Sequence, residues 1–194
     1  MVSQRYNPPM THLLDRNAAV LLVIDVQERI NAVMADQGHL PRIEVLVEAC
    51  RALGVPVIGS EQYPTGLGAT VEPLAGLLGE TPAAKDTFSC SRDPGLRAAV
   101  EATGRSQVIC TGIETHVCVL QTALDLLDAG YAVHVPHDAV SSRRPADKRW
   151  ALERLQAAGA QITTTESALF ELVERCDTPD FKTVAKLVKK LPVP

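Results

Sequence analysis

The sequence predicts an α/β fold, a three-layer α/β/α arrangement around a six-stranded parallel sheet of Rossmann-like order. Three observations point there. Short apolar, β-branched runs alternate with amphipathic stretches along most of the 194 residues, the pattern of parallel strands joined by crossover helices. The runs are almost continuously apolar, as strands covered on both faces are. Gly54, Gly104, Gly130 and Gly159 each close an amphipathic stretch, where a left-handed terminal residue is commonly needed.

Each element follows in order. Residues 1–18, with Pro8 and Pro9, read as an irregular arm. The expected strands are Ala19–Asp25, Pro56–Ser60, Ala84–Phe88, Gln107–Thr111, Ala132–Pro136 and Gln161–Thr164. Helical periodicity covers Pro41–Leu53, Gly95–Thr103, Val117–Ala129 and Ala146–Ala158. Two further helices, Ser167–Arg175 and Phe181–Leu191, make a C-terminal helical tail over 166–194 that packs outside the sheet. No linker composition interrupts the chain, so residues 1–194 are expected to form one domain.

Composition narrows the function. A hydrophobic content of 46% with 22% charged residues is ordinary for a globular protein. The net charge of -4 disfavours binding to a phosphate backbone, so no nucleic-acid partner is expected. No apolar run reaches membrane-spanning length and no signal-peptide pattern opens the chain. Five cysteines, an odd number, argue against a disulfide framework and fit a reducing, cytoplasmic setting.

Ligands of an open parallel sheet bind beyond the carboxyl ends of its strands. That rule selects Asp25 at the end of LLVID, Glu61 and Gln62 after the second strand, Lys85 in the third, and Gly112–Cys118 after the fourth. A carboxylate near a buried strand end needs a partner or a role, unless Asp25 merely caps the next helix. Cys118 is expected close to a helix start, where unpaired amides favour thiolate and hold anions. Acid, cation and thiol thus converge on one rim.

The segments LLVIDVQ, AKDTFS and TGIETHVCV resemble the motifs of the isochorismatase-like cysteine hydrolases, in order, from about residue 18 to about 165. The stretch SEQYPTGLG is similar to that of the isochorismatase domain-containing subgroup. The resemblance implies a six-stranded parallel sheet, a catalytic set of Asp25, Lys85 and Cys118, and a homo-oligomer, dimer or higher. It also implies a cis peptide between Ile113 and Glu114 at the turn before the nucleophile. In that scheme Cys118 attacks a carbonyl carbon and Asp25 moves the proton. Lys85 stabilises charge, and amides such as those of Val117 and Cys118 hold the oxyanion. Gln27, Glu61, Gln62, Phe88 and His116 are the candidate pocket residues. Nicotinamidases of the superfamily bind a metal through histidines after the second strand. This chain has Ser60-Glu61-Gln62-Tyr63-Pro64 there, so neither metal nor other cofactor is expected. Isochorismatases proper cleave a vinyl ether without a cysteine nucleophile, so Cys118 points elsewhere.

Other groupings carry less. His134 and His137 would lie on opposite faces of a strand and should not share a metal. His116 is a rival base, and Cys90 a conceivable redox partner of Cys118 if the two come close. Gly66 and Gly68 read as loop hinges, and no dinucleotide fingerprint is present. The expected function is metal-independent hydrolysis of a small-molecule amide, imide or related C–N bond through a cysteine acyl-enzyme. The alternative is an association protein that keeps the fold, with Cys118 packed or redox-responsive.

Overall fold

The computed structural model describes residues 13–192; most of the expected N-terminal arm, residues 1–12, lies outside that range. Seven strands form one sheet: β1 (Ala19–Ile24), β2 (Val57–Gln62), β3 (Ala83–Lys85), β4 (Gln107–Ile113), β5 (Ala132–Pro136), β6 (Val140–Ser141) and β7 (Gln161–Thr163). Their order is β3-β2-β1-β4-β5-β7, with β6 beside β4, and the ladders are parallel. Six strands were expected. The seventh, β6, has two residues, too few to leave a hydropathy pattern.

Alternation along β1 distributes its side chains between two cores. Leu21 and Val23 face a cluster with α2 (His39–Leu53), α4 (Leu74–Leu78), α8 (Thr165–Val173) and α9 (Pro179–Val188). Val20, Leu22 and Ile24 face a second cluster with α5 (Pro94–Ala102), α6 (Leu120–Asp128) and α7 (Pro145–Ala157). The two C-terminal helices pack on α2 and bury Leu169, Leu172, Val184 and Leu187; they are part of one outer layer rather than a loose tail. The four helix-closing glycines all have positive φ, from 65 to 105°.

The strands end differently from the sequence reading at two places that matter. β2 runs on through Glu61 and Gln62, so both lie in the sheet rather than after it. Parallel pairing with β3, Gln62 opposite Lys85, extends it. After β4 the chain enters a π-helical turn, Thr115–Val119, before α6 begins at Leu120. Cys118 therefore sits inside a wide turn and not at the first residues of an α-helix. Three short helices, α1 (Glu28–Asn31), α3 (Pro64–Leu67) and α4, are too short to show periodicity and escaped the sequence reading.

Gly112 fixes how closely β1 and β4 approach at their carboxyl ends. Its φ is 110°, and a Cβ there would stand 2.0 Å from the carbonyl oxygen of Ile24. No other residue fits. Gly66 is also a packing position rather than a hinge: a Cβ would lie 2.4 Å from the ring of Tyr63.

Candidate active site

Asp25 leaves β1 with a φ of 53°, a left-handed conformation that aspartate tolerates better than most residues. It does not cap α1; the cap position is Gln27. Its carboxylate is buried and accepts from two side chains. The Ser60 hydroxyl donates to Oδ1 at 2.7 Å, and the Lys85 ammonium donates to Oδ2 at 2.7 Å. The Cys118 thiol lies close enough to the same carboxylate for its charge to act on it. Lys85 further donates to Gln62 Oε1 at 2.7 Å and to the carbonyls of Thr87 and Phe88 at 3.1 Å. A buried ammonium needs this density of acceptors, since desolvation would otherwise neutralise it.

The electrostatics have a definite sign. Burial acts to lower the pKa of Lys85, but the opposing causes, led by the charge of the Asp25 carboxylate, outweigh it, and the group stays above the ordinary lysine value. Burial, followed by the negative charge of Asp25, pushes the Cys118 thiol well up, and the opposing pull of Lys85 is smaller. The sequence led to the opposite expectation, a thiolate favoured by helix amides. The correction has two physical causes: Cys118 is 6% exposed, and the negative charge of Asp25 acts on it more strongly than the positive charge of Lys85. Cys118 rests as a thiol beside a carboxylate.

Cys118 and Asp25 open onto a cavity of about 300 Å³. Ile30 of α1, Leu67 of α3, Phe88, Ile113 and Val117 form its apolar walls, and Gln62, Glu114 and Arg143 complete it. Glu114 is buried and accepts from the Arg143 backbone at 3.0 Å and from Arg143 Nε at 3.1 Å. The peptide joining Ile113 to Glu114 is cis. The Val117 amide is directed to the Glu114 carbonyl at 3.1 Å, so it is engaged rather than presented to the cavity.

The remaining candidates separate into lining and bracing residues. Gln62 and Phe88 line the cavity. Gln27 is fully buried and holds the backbone of Gln62 and Gly68. Glu61 accepts from the amide and hydroxyl of Thr70, both at 2.7 Å, and braces that loop. His116 turns to Ser142 Oγ at 3.1 Å and borders a separate polar recess with Arg143, Arg144 and Asp147. Cys90 donates to Ser60 Oγ at 3.5 Å, while its amide donates to Thr122. Burial, then Asp25, pushes its pKa up to about 11. His134 is buried in β5 whereas His137 is exposed beyond it. Among the described residues, no group of three or more His, Cys, Asp or Glu side chains is placed to hold a metal ion.

Sequence reasoning missed Ser60, the Glu114–Arg143 pair and the walls supplied by Ile30 and Leu67. Ser60 could have been found, because it lies at the strand-end rim in the register partner of Ile24. The other two depend on tertiary pairing that no local pattern encodes.

A three-layer parallel fold with a paired acid and amine at its strand ends, and a thiol beside them at a cavity, fits a class: the isochorismatase-fold hydrolases. The isochorismatase domain model matches residues 19–167, and the chain belongs to that family. It is 41% identical over 184 residues to the secreted isochorismatase effector Isc1 of Phytophthora sojae (strain P6497), covering 90% of this chain and 86% of that protein. Among solved structures it is similar to one described as the MAR1 ribonuclease of Caenorhabditis elegans. That match has a TM-score of 0.87 and 39% identity, over 94% of this chain and 97% of the other. It is also similar to the YcaC gene product of Escherichia coli, described as an octameric hydrolase of unknown specificity. There the TM-score is 0.88 with 26% identity, over 95% and 93% of the two chains. Among the described residues no helix is long and apolar enough to cross a membrane.

Proposed function

We propose that the protein is a metal-independent cysteine hydrolase that cleaves an amide, imide or related C–N bond of a small molecule. One observation carries this reading: the Cys118 thiol lies beside a carboxylate that is itself paired with a buried ammonium, and thiol and carboxylate both open onto a cavity. As Sγ attacks the carbonyl carbon, Asp25 takes the thiol proton and passes it to the leaving nitrogen. The amine departs and leaves a thioester on Cys118. Water then attacks the thioester, Asp25 accepts its proton, and collapse returns the thiol and releases the acid. Lys85 stays charged throughout and offsets the charge that builds beside it. With the Val117 amide engaged by Glu114, the oxyanion is assigned to the Cys118 amide, and the Lys85 ammonium acts on it through its charge alone. The thiol need not be ionised at rest, because transfer accompanies attack. Metal independence is supported by the side chains at the end of β2: Glu61 is committed to Thr70, and Gln62 to Lys85.

Of the two bases considered, Asp25 is favoured over His116, whose ring turns to Ser142. A small cavity and a net charge of -4 favour a small-molecule substrate over RNA. The octameric assembly of the Escherichia coli relative supports a homo-oligomer, and light scattering in solution checks it.

The decisive experiment combines a panel of small amides, scored by ammonia or amine release, with intact-mass detection of an adduct. Turnover is expected in the natural protein, with an acyl mass increment at Cys118 that disappears in Cys118→Ala. Turnover surviving in Cys118→Ala refutes the cysteine mechanism. Activity lost to a chelator and restored by metal refutes metal independence.

A further inference from the structure

The polar side chains around the cavity point their hydrogen-bonding capacity away from it. Asp25 is committed to Ser60 and Lys85. Gln62 accepts from Lys85 and donates to the Asp86 carbonyl. Glu114 is spent on Arg143. What remains facing the space is carbon from Ile30, Leu67, Phe88, Ile113 and Val117. The charges also cancel, Asp25 against Lys85 at 2.7 Å and Glu114 against Arg143 at 3.1 Å. A charged substrate entering here would lose water without gaining an unpaired counter-ion, which is costly. A neutral apolar body loses little and gains contact.

Phe88 adds a second, independent sign. The residue is 53% exposed, while its carbonyl is held by the Lys85 ammonium at 3.1 Å. The site lysine thus fixes the backbone of an exposed aromatic residue at the cavity wall. At about 300 Å³ the space is at the small end of ligand sites.

Building on the cysteine-hydrolase reading above, we propose that the substrate is a small uncharged amide bearing a compact apolar substituent, selected by the Phe88 ring with Leu67 and Ile30. Selection works through the part of the molecule remote from the scissile bond, and the charges at the floor are reserved for the reaction.

The test uses Cys118 as its own reporter. Second-order alkylation rates at Cys118 are read by peptide mass spectrometry for iodoacetamide, its N-propyl and N-benzyl derivatives, and iodoacetate, each divided by the rate with a free small-molecule thiol. The expected ratio rises roughly threefold to fourfold per buried methylene along the neutral series. Iodoacetate is expected to fall at least about tenfold below iodoacetamide, as an uncompensated buried charge would. In Phe88→Ala the benzyl-to-parent ratio collapses towards the free-thiol value. A flat neutral series overturns the proposal and leaves the cysteine mechanism standing. So does a preference for iodoacetate that Arg143→Gln removes, which would make Arg143 an anion clamp. Cys118 unreactive towards every reagent, while the denatured protein reacts, removes both.

Discussion

β1 and β4 bury polar side chains at both of their ends, and the two ends use them in opposite ways. At the amino end Gln107 is 4% exposed. Its amide accepts from the Asp15 backbone at 2.8 Å and donates to the Leu13 carbonyl at 2.9 Å. This group is neutral, it satisfies backbone, and it ties the incoming chain to the sheet. At the carboxyl end the buried groups are charged or titratable, are satisfied mainly by one another, and open onto a cavity. Burial alone therefore says little about role. What separates a brace from a reaction centre is whether the buried group can exchange a proton with a neighbour beside free space.

The contrast can be broken or sharpened by experiment, starting with the largest effect. Replacing the thiol in Cys118→Ala should reduce turnover on the order of 10⁴-fold with little change in thermal midpoint; a retained rate would reduce the carboxyl end to a second brace. In Asp25→Asn, Lys85 is left buried without its counter-charge, and urea denaturation should show a loss of about 3–5 kcal/mol together with lost turnover. A fully stable Asp25→Asn protein would mean that the pair is dispensable to folding. Gln107→Ala should cost about 1–3 kcal/mol through the backbone groups it strands, yet leave Cys118 alkylation in the folded protein unchanged. An altered rate there would show that the two ends are coupled.

The smallest effect concerns pH. Because burial and Asp25 hold the Cys118 thiol above its ordinary value of 9.0, thiolate is scarce at neutral pH. Its alkylation rate should climb by about tenfold per pH unit, with no plateau below pH 9. A plateau near neutrality would mean that the thiol is activated at rest, as helix amides alone would have it.

Much of this architecture was legible in the residues. Apolar runs placed six of the seven strands, and the helix-closing glycines marked four helix ends because left-handed backbone favours glycine. The strand-end rule selected Asp25, Lys85 and Cys118; the fold pairs the first two and places Cys118 with Asp25 at one cavity. The boundary of β2 was missed because Glu61 and Gln62 are polar, and their place in the sheet is dictated by pairing with β3. The Cys118 electrostatics were misread because a local rule about helix ends ignores a carboxylate that arrives 93 positions earlier in the chain. Glu114 and Arg143 lie 29 residues apart and meet through the β4–β6 pairing, which two residues of β6 could not announce.

Gly112 gives this site a floor that cannot drift. The two central strands touch at Gly112 and Ile24 with no room for even a methyl group, so the spacing beneath Asp25 is set by main chain. The walls have no such anchor: Ile30, Leu67 and Phe88 come from two four-residue helices and a loop. A lineage built this way can change its diet by rewriting three small segments and never disturb the step that breaks the bond. Descendants should share their chemistry far more faithfully than their menus.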